Sequence, residues 1–136
     1  MSTRDVRGAP GVLRCMLVLL AVRLHLKARG FGRSVARARR LGARGADAGS
    51  PDGDLPERTA HRVAVAGAFF PGRAVCLEQS LAIYLLLRRR GVPAELRLGV
   101  TPSPFQAHAW VEVDGAPVNE DPETVARFLP MPAAPA

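Results

Sequence analysis

Cys76, His108 and the acids Glu120 and Asp121 have the residue types for acyl chemistry at a thiol. Cys76 stands near the start of "AVCLEQSLAIYLLLRRRG", His108 follows 32 residues later in "FQAHAWVEVDGAPVNEDP", and the two acids come near the end of that stretch. A cysteine attacks a carbonyl as the thiolate, and the free N–H groups of a helix N-terminus stabilise that anion. The same N–H groups can hold the oxyanion of the intermediate. Histidine supplies the base, and an acid beside it sets the imidazole tautomer. A lone Cys at a helix start is more often a packed residue than a nucleophile, so the case depends on what the fold brings to it.

The element carrying Cys76 is the clearest helix in the chain. Leu77, Leu81, Tyr84, Leu85 and Arg88 recur on one helical face, and Ile83, Leu86 and Leu87 extend it until the helix is apolar nearly all round. That pattern predicts a central, buried helix over 74–91, with Arg88, Arg89 and Arg90 suiting the dipole at its C-terminus and Gly91 as the stop. Beyond Pro93 the period changes to two. Leu96, Leu98 and Val100 form one face of a strand and Glu95, Arg97 and Gly99 the wet one, before the Pro-rich loop "TPSP".

The His-bearing stretch reads as a β-hairpin. Asp114-Gly115 fits a two-residue primed turn, which pairs Val113 with Ala116. Carried outward, that register sets Trp110 against Asn119 and His108 against Asp121 on the non-core face, with Val111 and Val118 on the core face. A slip of one residue would exchange Asp121 for Glu120. His108 also has a plainer reading as a polar cap at a strand end, and Trp110 as packing.

The remaining segments are less informative. "VLRCMLVLLAVRLHLKAR" (12–29) is interrupted by Arg14 and Arg23, too short an apolar run to span a membrane and without a signal-peptide cleavage site. It reads as a buried or partner-facing helix, with a membrane-surface helix as the sharper alternative, and Cys15 inside it as a small core hydrophobe. "FGRSVARARRLG" (31–42) continues as a basic helix beyond the Gly30 break. The stretch 42–56 reads as a flexible loop and 57–70 as a helix ended by Pro71-Gly72, with Val63, Ala66, Gly67 and Phe70 inward and His61 on the surface. Pro122 after the N-cap Asp121 starts a last short helix over 122–130, and "MPAAPA" is a frayed tail.

Helices followed by a small antiparallel sheet make an α+β domain. The expected division is an N-terminal helical region over 1–49, a loop over 50–57, a core over 58–130 and a tail over 131–136. The 136 residues, 48% hydrophobic and 23% charged, suffice for one packed domain. The net charge of +7 is weak evidence for nucleic acid, because no basic run interleaves with aromatics and the Arg-rich composition fits a GC-rich genome. Two cysteines do not suggest a disulfide framework, and none of the Cys/His spacing fits a structural zinc site, so a reducing, cytoplasmic setting without metal or cofactor is expected.

Taken together, "CLEQSLAIYLLLRRRGVPAELRLGV" and "FQAHAWVEVDGAPVNE" resemble the transglutaminase-like cysteine peptidases of lasso-peptide biosynthesis, the stand-alone protease half of the B protein. The resemblance is close over 73–129 and extends in general layout to the helices before it. It implies a papain- or transglutaminase-like fold in which Cys76 attacks a peptide carbonyl, His108 acts as base, and an acid after the Val-Asn of the return strand completes the set. Simple counting puts Glu120 at that position, where the family more usually has Asp, while the turn geometry selects Asp121. The implied partners are a precursor peptide, a separate leader-recognition protein and a cyclase that uses ATP. Residues 12–29 and the Arg-rich segment are candidates for contacting either protein or a membrane surface. Two alternatives keep the fold and change the activity: a peptide-binding module that does not cut, and acyl transfer to an amine.

Overall fold

A computed structural model describes residues 10–44, 54–70, 76–102 and 105–130. Of the Gly/Asp-rich loop expected over 42–56, residues 45–53 lie outside the described residues, as do the Pro71-Gly72 helix stop, Ser103-Pro104 of the Pro-rich loop and the 131–136 tail; at its two ends the expectation is corrected, since 42–44 still belong to the first helix and the next helix already begins at Leu55.

The first element, α1 (Val12–Arg44), consists of two helical arms that meet at Gly30, whose φ of 82° and ψ of 176° lie outside the helical region. A side chain would be strained at that φ, so glycine permits the bend. Across the kink, His25 Nδ1 is 2.7 Å from Ser34 Oγ, which ties one arm to the other. The basic second helix expected beyond Gly30 is the second arm.

Helix α2 (Leu55–Ala68) begins with Pro56 in its first turn and buries Val63, Ala66 and Gly67, with His61 exposed as expected. Helix α3 (Cys76–Arg89) is the central element: Leu81, Ile83 and Leu87 are fully buried. Each such side chain contributes about 1.5–3 kcal/mol by leaving water. At its end Gly91, with φ of 80°, lets Val92 N–H reach the Leu87 carbonyl and Gly91 N–H reach that of Arg88, a closure that satisfies two orphan carbonyls. Arg88 Nε donates to the Ala94 carbonyl at 2.8 Å, joining the helix end to the first strand.

Four antiparallel strands follow, β1 (Ala94–Pro102), β2 (Phe105–Val113), β3 (Ala116–Pro117) and β4 (Leu129–Pro130), in the order β3-β2-β1-β4. A one-turn helix, α4 (Pro122–Val125), separates β3 from β4. Leu96, Val111, Ala94 and Val113 join the core under α3, and Cys15, Leu19, Val22, Val35 and Ala38 of α1 belong to that same core. The N-terminal helix is therefore a wall of the core. Cys15 is fully buried, and burial pushes its thiol pKa up against the opposing pull of Arg62 and Arg14, as befits a packed residue.

Two expectations about the sheet need correction. Gly99 was expected on the wet face, and Glu95 and Arg97 are indeed exposed there, but Gly99 is buried. A Cβ on Gly99 would sit 2.7 Å from the Phe128 Cβ and 2.9 Å from Trp110 Cη2, so Trp110 and Phe128 cover this end of the sheet closely. The last helix, expected over 122–130, stops at Val125, because the chain turns to lay Phe128 over Gly99 and to pair Leu129 and Pro130 with Val100 and Gly99. Asp121 does take the N-cap position with Pro122 following, though its side chain makes no capping bond.

The helix and hairpin are joined by a buried polar contact. Ser80 Oγ, fully buried on α3, donates to the Ala109 carbonyl of β2 at 2.9 Å and accepts from Asn119 Nδ2 at 3.0 Å.

Ser80→Ala would leave both partners short of a bond inside the protein, and thermal unfolding should show a loss of about 1–3 kcal/mol. Gly99→Ala should cost a similar amount, about 1–3 kcal/mol, by forcing Trp110 or Phe128 aside; an unchanged melting midpoint would contradict so close a cover over Gly99.

Candidate active site

The turn forms as its sequence indicates. Asp114 and Gly115 have φ of 53° and 79°, the two positive values of a primed turn, and Val113 pairs with Ala116 and Glu112 with Pro117. Pro117 is tolerated because β3 is an edge strand. Val118 N–H still reaches the Val111 carbonyl at 3.0 Å. There the ladder ends: Val111 N–H donates instead to the side-chain Oδ1 of Asn119 at 2.8 Å, and residues 118–120 bend away from strand geometry.

This early end changes which acid meets the histidine. Extending the register set Asp121 against His108 and Asn119 against Trp110, and neither pairing forms. Glu120 Oε2 lies 2.5 Å from His108 Nε2. Asp121 is exposed, and its backbone N–H donates to Glu120 Oε1 at 3.0 Å, which holds the carboxylate in place. Asn119 is not on the His108 face; it bonds to Ser80 of α3. The physical reason is the amide side chain of Asn119, which satisfies Val111 and Ser80 together and so takes the chain off the strand.

His108 is framed on its remaining sides by aromatic rings. Its ring lies 6.0 Å from that of Trp110, in a stacked arrangement, and 5.2 Å from that of Phe128. Trp110 is 3% exposed and its Nε1–H donates to Glu112 Oε2 at 2.9 Å. With Nε2 engaged by a carboxylate, Nδ1 is the nitrogen of His108 left to take a proton. The His108 and Glu120 side chains are 19% and 23% exposed, so the pair sits partly sheltered but reachable from solvent.

Cys76 is exposed at the first position of α3. Ser80 follows one helical turn later on the same face and bonds to the carbonyl of Ala109, the residue next to His108. That bond joins α3, four residues after Cys76, to β2 next to His108. In the same first turn Glu78, nearly buried, pairs with Arg23 Nε of α1 at 2.6 Å, and the Arg23 guanidinium lies 4.8 Å from the centre of the Phe70 ring. An acid at that position suits the helix dipole, and the pairing keeps its charge satisfied where water is scarce.

Of the residues singled out from sequence, His108 and Glu120 are in direct contact, Cys76 is at the start of the helix tied to that hairpin, and Asp121 faces solvent. Ser80, Phe128 and the Arg23–Glu78 pair were not anticipated. Ser80 carried a signal: a polar residue inside an otherwise apolar buried helix must find a partner. Phe128 carried none, because its place depends on where α4 ends.

No group of three or more His, Cys, Asp or Glu capable of holding a metal occurs among the described residues. A cavity of about 680 Å³ lies between the two arms of α1 and α3, where Val22, Ala38, Leu81 and Leu85 line it; none of Cys76, His108 and Glu120 does. A smaller cleft of about 260 Å³ adjoins the site at Gln79, Val118 and Asn119, with His61 and Glu57 of α2 opposite.

Over 47 residues the chain is 43% identical to the Microcin J25-processing protein McjB of Escherichia coli, a match that covers 35% of this chain and 23% of that protein. The chain thus corresponds to about a quarter of the length of this curated relative. No solved structure shows a significant match. The profile described as the transglutaminase-like superfamily matches residues 16–133, a span that runs from the first arm of α1 past β4. This α+β chain belongs to the transglutaminase-like superfamily.

Proposed function

We propose that the chain is a cysteine peptidase that removes the leader from a ribosomally made lasso-peptide precursor, with Cys76 as nucleophile, His108 as base and Glu120 as the acid that orients it. The observation carrying this reading is the His108–Glu120 contact at 2.5 Å, on a hairpin bonded to the helix that Cys76 begins. The similarity to a microcin-processing protein supports a peptide precursor as substrate.

In this reading His108 Nδ1 takes the Cys76 thiol proton as sulfur attacks the scissile carbonyl. N–H groups of the first turn of α3 are the oxyanion donors nearest the sulfur. Collapse of the intermediate breaks the C–N bond, and the imidazolium returns its proton to the departing amine. A water molecule deprotonated by His108 then hydrolyses the thioester, releasing the carboxylate product and the thiol. Glu120, accepting from Nε2–H, holds the tautomer this sequence requires and stabilises the imidazolium. No step calls for a cofactor in this chain; ATP belongs to the proposed cyclase partner, and a separate leader-recognition protein would present the precursor.

Precursor cleavage followed by mass spectrometry, with the recognition partner present, tests the assignment. Cys76→Ala should lower the rate by at least about 10³-fold. Release of core peptide at the normal rate by that variant would refute the peptidase reading and favour a binding module, while a product linked to an amine would indicate acyl transfer. In the same assay Glu120→Ala should lose about a hundredfold in kcat, whereas Asp121→Ala should stay within about twofold of the unaltered chain. The reverse order would return the role to Asp121.

A further inference from the structure

The first arm of α1 buries Cys15, Leu19 and Val22 in the core and exposes a row of leucines on the opposite side. Leu13, Leu17, Leu20 and Leu24 are 72%, 60%, 45% and 57% exposed, and their spacing of four, three and four residues sets them on one helical face. The row is roughly 16 Å long from the helical rise. Four aligned leucines in water are unfavourable unless something covers them.

The charge of the same element selects what covers them. Over residues 12–44 there are nine Lys or Arg and no Asp or Glu, in a chain of net charge +7. In the second arm, Arg33 and Arg40 are exposed on the side away from the buried Val35 and Ala38. A second copy of this chain would bring one acid-free basic helix against another, which like-charge repulsion opposes. An anionic bilayer surface satisfies both features: its acyl boundary accepts the leucines and its headgroup phosphates accept the arginines. No helix among the described residues is long and apolar enough to cross a membrane, so the contact would lie along the surface.

We propose that the leucine row of α1, with the basic residues that accompany it, is a docking face for an anionic lipid bilayer. The proposal is independent of the peptidase reading, since none of these residues belongs to the candidate active site.

The test is co-sedimentation of the full chain with phosphatidylcholine vesicles, with and without about 30% phosphatidylglycerol. The chain should sediment with the anionic vesicles, less so as salt rises, and far less with the neutral ones. Leu17→Ser with Leu24→Ser should weaken that binding about tenfold while circular dichroism and the melting midpoint stay unchanged. Arg33→Glu with Arg40→Glu should weaken it by a comparable factor through charge alone. Absence of binding to anionic vesicles, or equal binding by the unaltered chain and the leucine variant, would overturn the proposal. A dimer in sedimentation analysis that depends on the leucines, without vesicle binding, would assign the face to a second copy and overturn it as well.

Discussion

The contact on which the site depends is the buried hydroxyl of Ser80. It donates to Ala109 of β2 and accepts from Asn119 beyond β3, so one side chain on the central helix holds both limbs of the hairpin. A fully buried hydroxyl gains nothing from water, and only the arrangement that satisfies it fully is stable. The helix is therefore held against the hairpin in one register, by a bond four residues after Cys76 on the helix and next to His108 on the strand.

The amide of Asn119 has the complementary effect. By accepting from Val111 N–H it replaces the backbone carbonyl that a continuing strand would have offered, and the chain leaves the ladder after Val118. The bend that follows carries Glu120 over His108, and Asp121 turns outward to start α4. On the far side, Phe128 descends onto Gly99 and flanks the His108 ring, a close approach possible because Gly99 has no side chain. Histidine is thus held by a carboxylate on one side and two aromatic rings on the others.

Helix α1 is bound to the site as well as to the core. Its first arm contributes Arg23 to Glu78 in the first turn of α3, and its second arm sends Arg39 Nη2 to the Leu96 carbonyl of β1 at 3.2 Å. The bend at Gly30 lies between the two arms that make these two contacts. The face turned away from these contacts is apolar in one arm and basic in the other, which is why it reads as a surface for something outside the chain.

Much of this arrangement was determined locally. The apolar periodicity of 76–89, the alternation of Leu96 and Leu98, the Asp114-Gly115 turn and the Gly91 stop each depend on neighbours a few residues away, and each formed as read. Cys76 and His108 could be named as candidates from their residue types and the motifs around them. The acid at His108, the cover over Gly99 and the length of α4 were decided by tertiary structure. Continuing a strand register past Val118 assumes that backbone groups pair only with backbone groups, and Asn119 breaks that assumption with a side chain whose other half bonds to a helix 39 residues earlier. No local pattern records such a contact, because its stability comes from satisfying two buried groups at once across the fold.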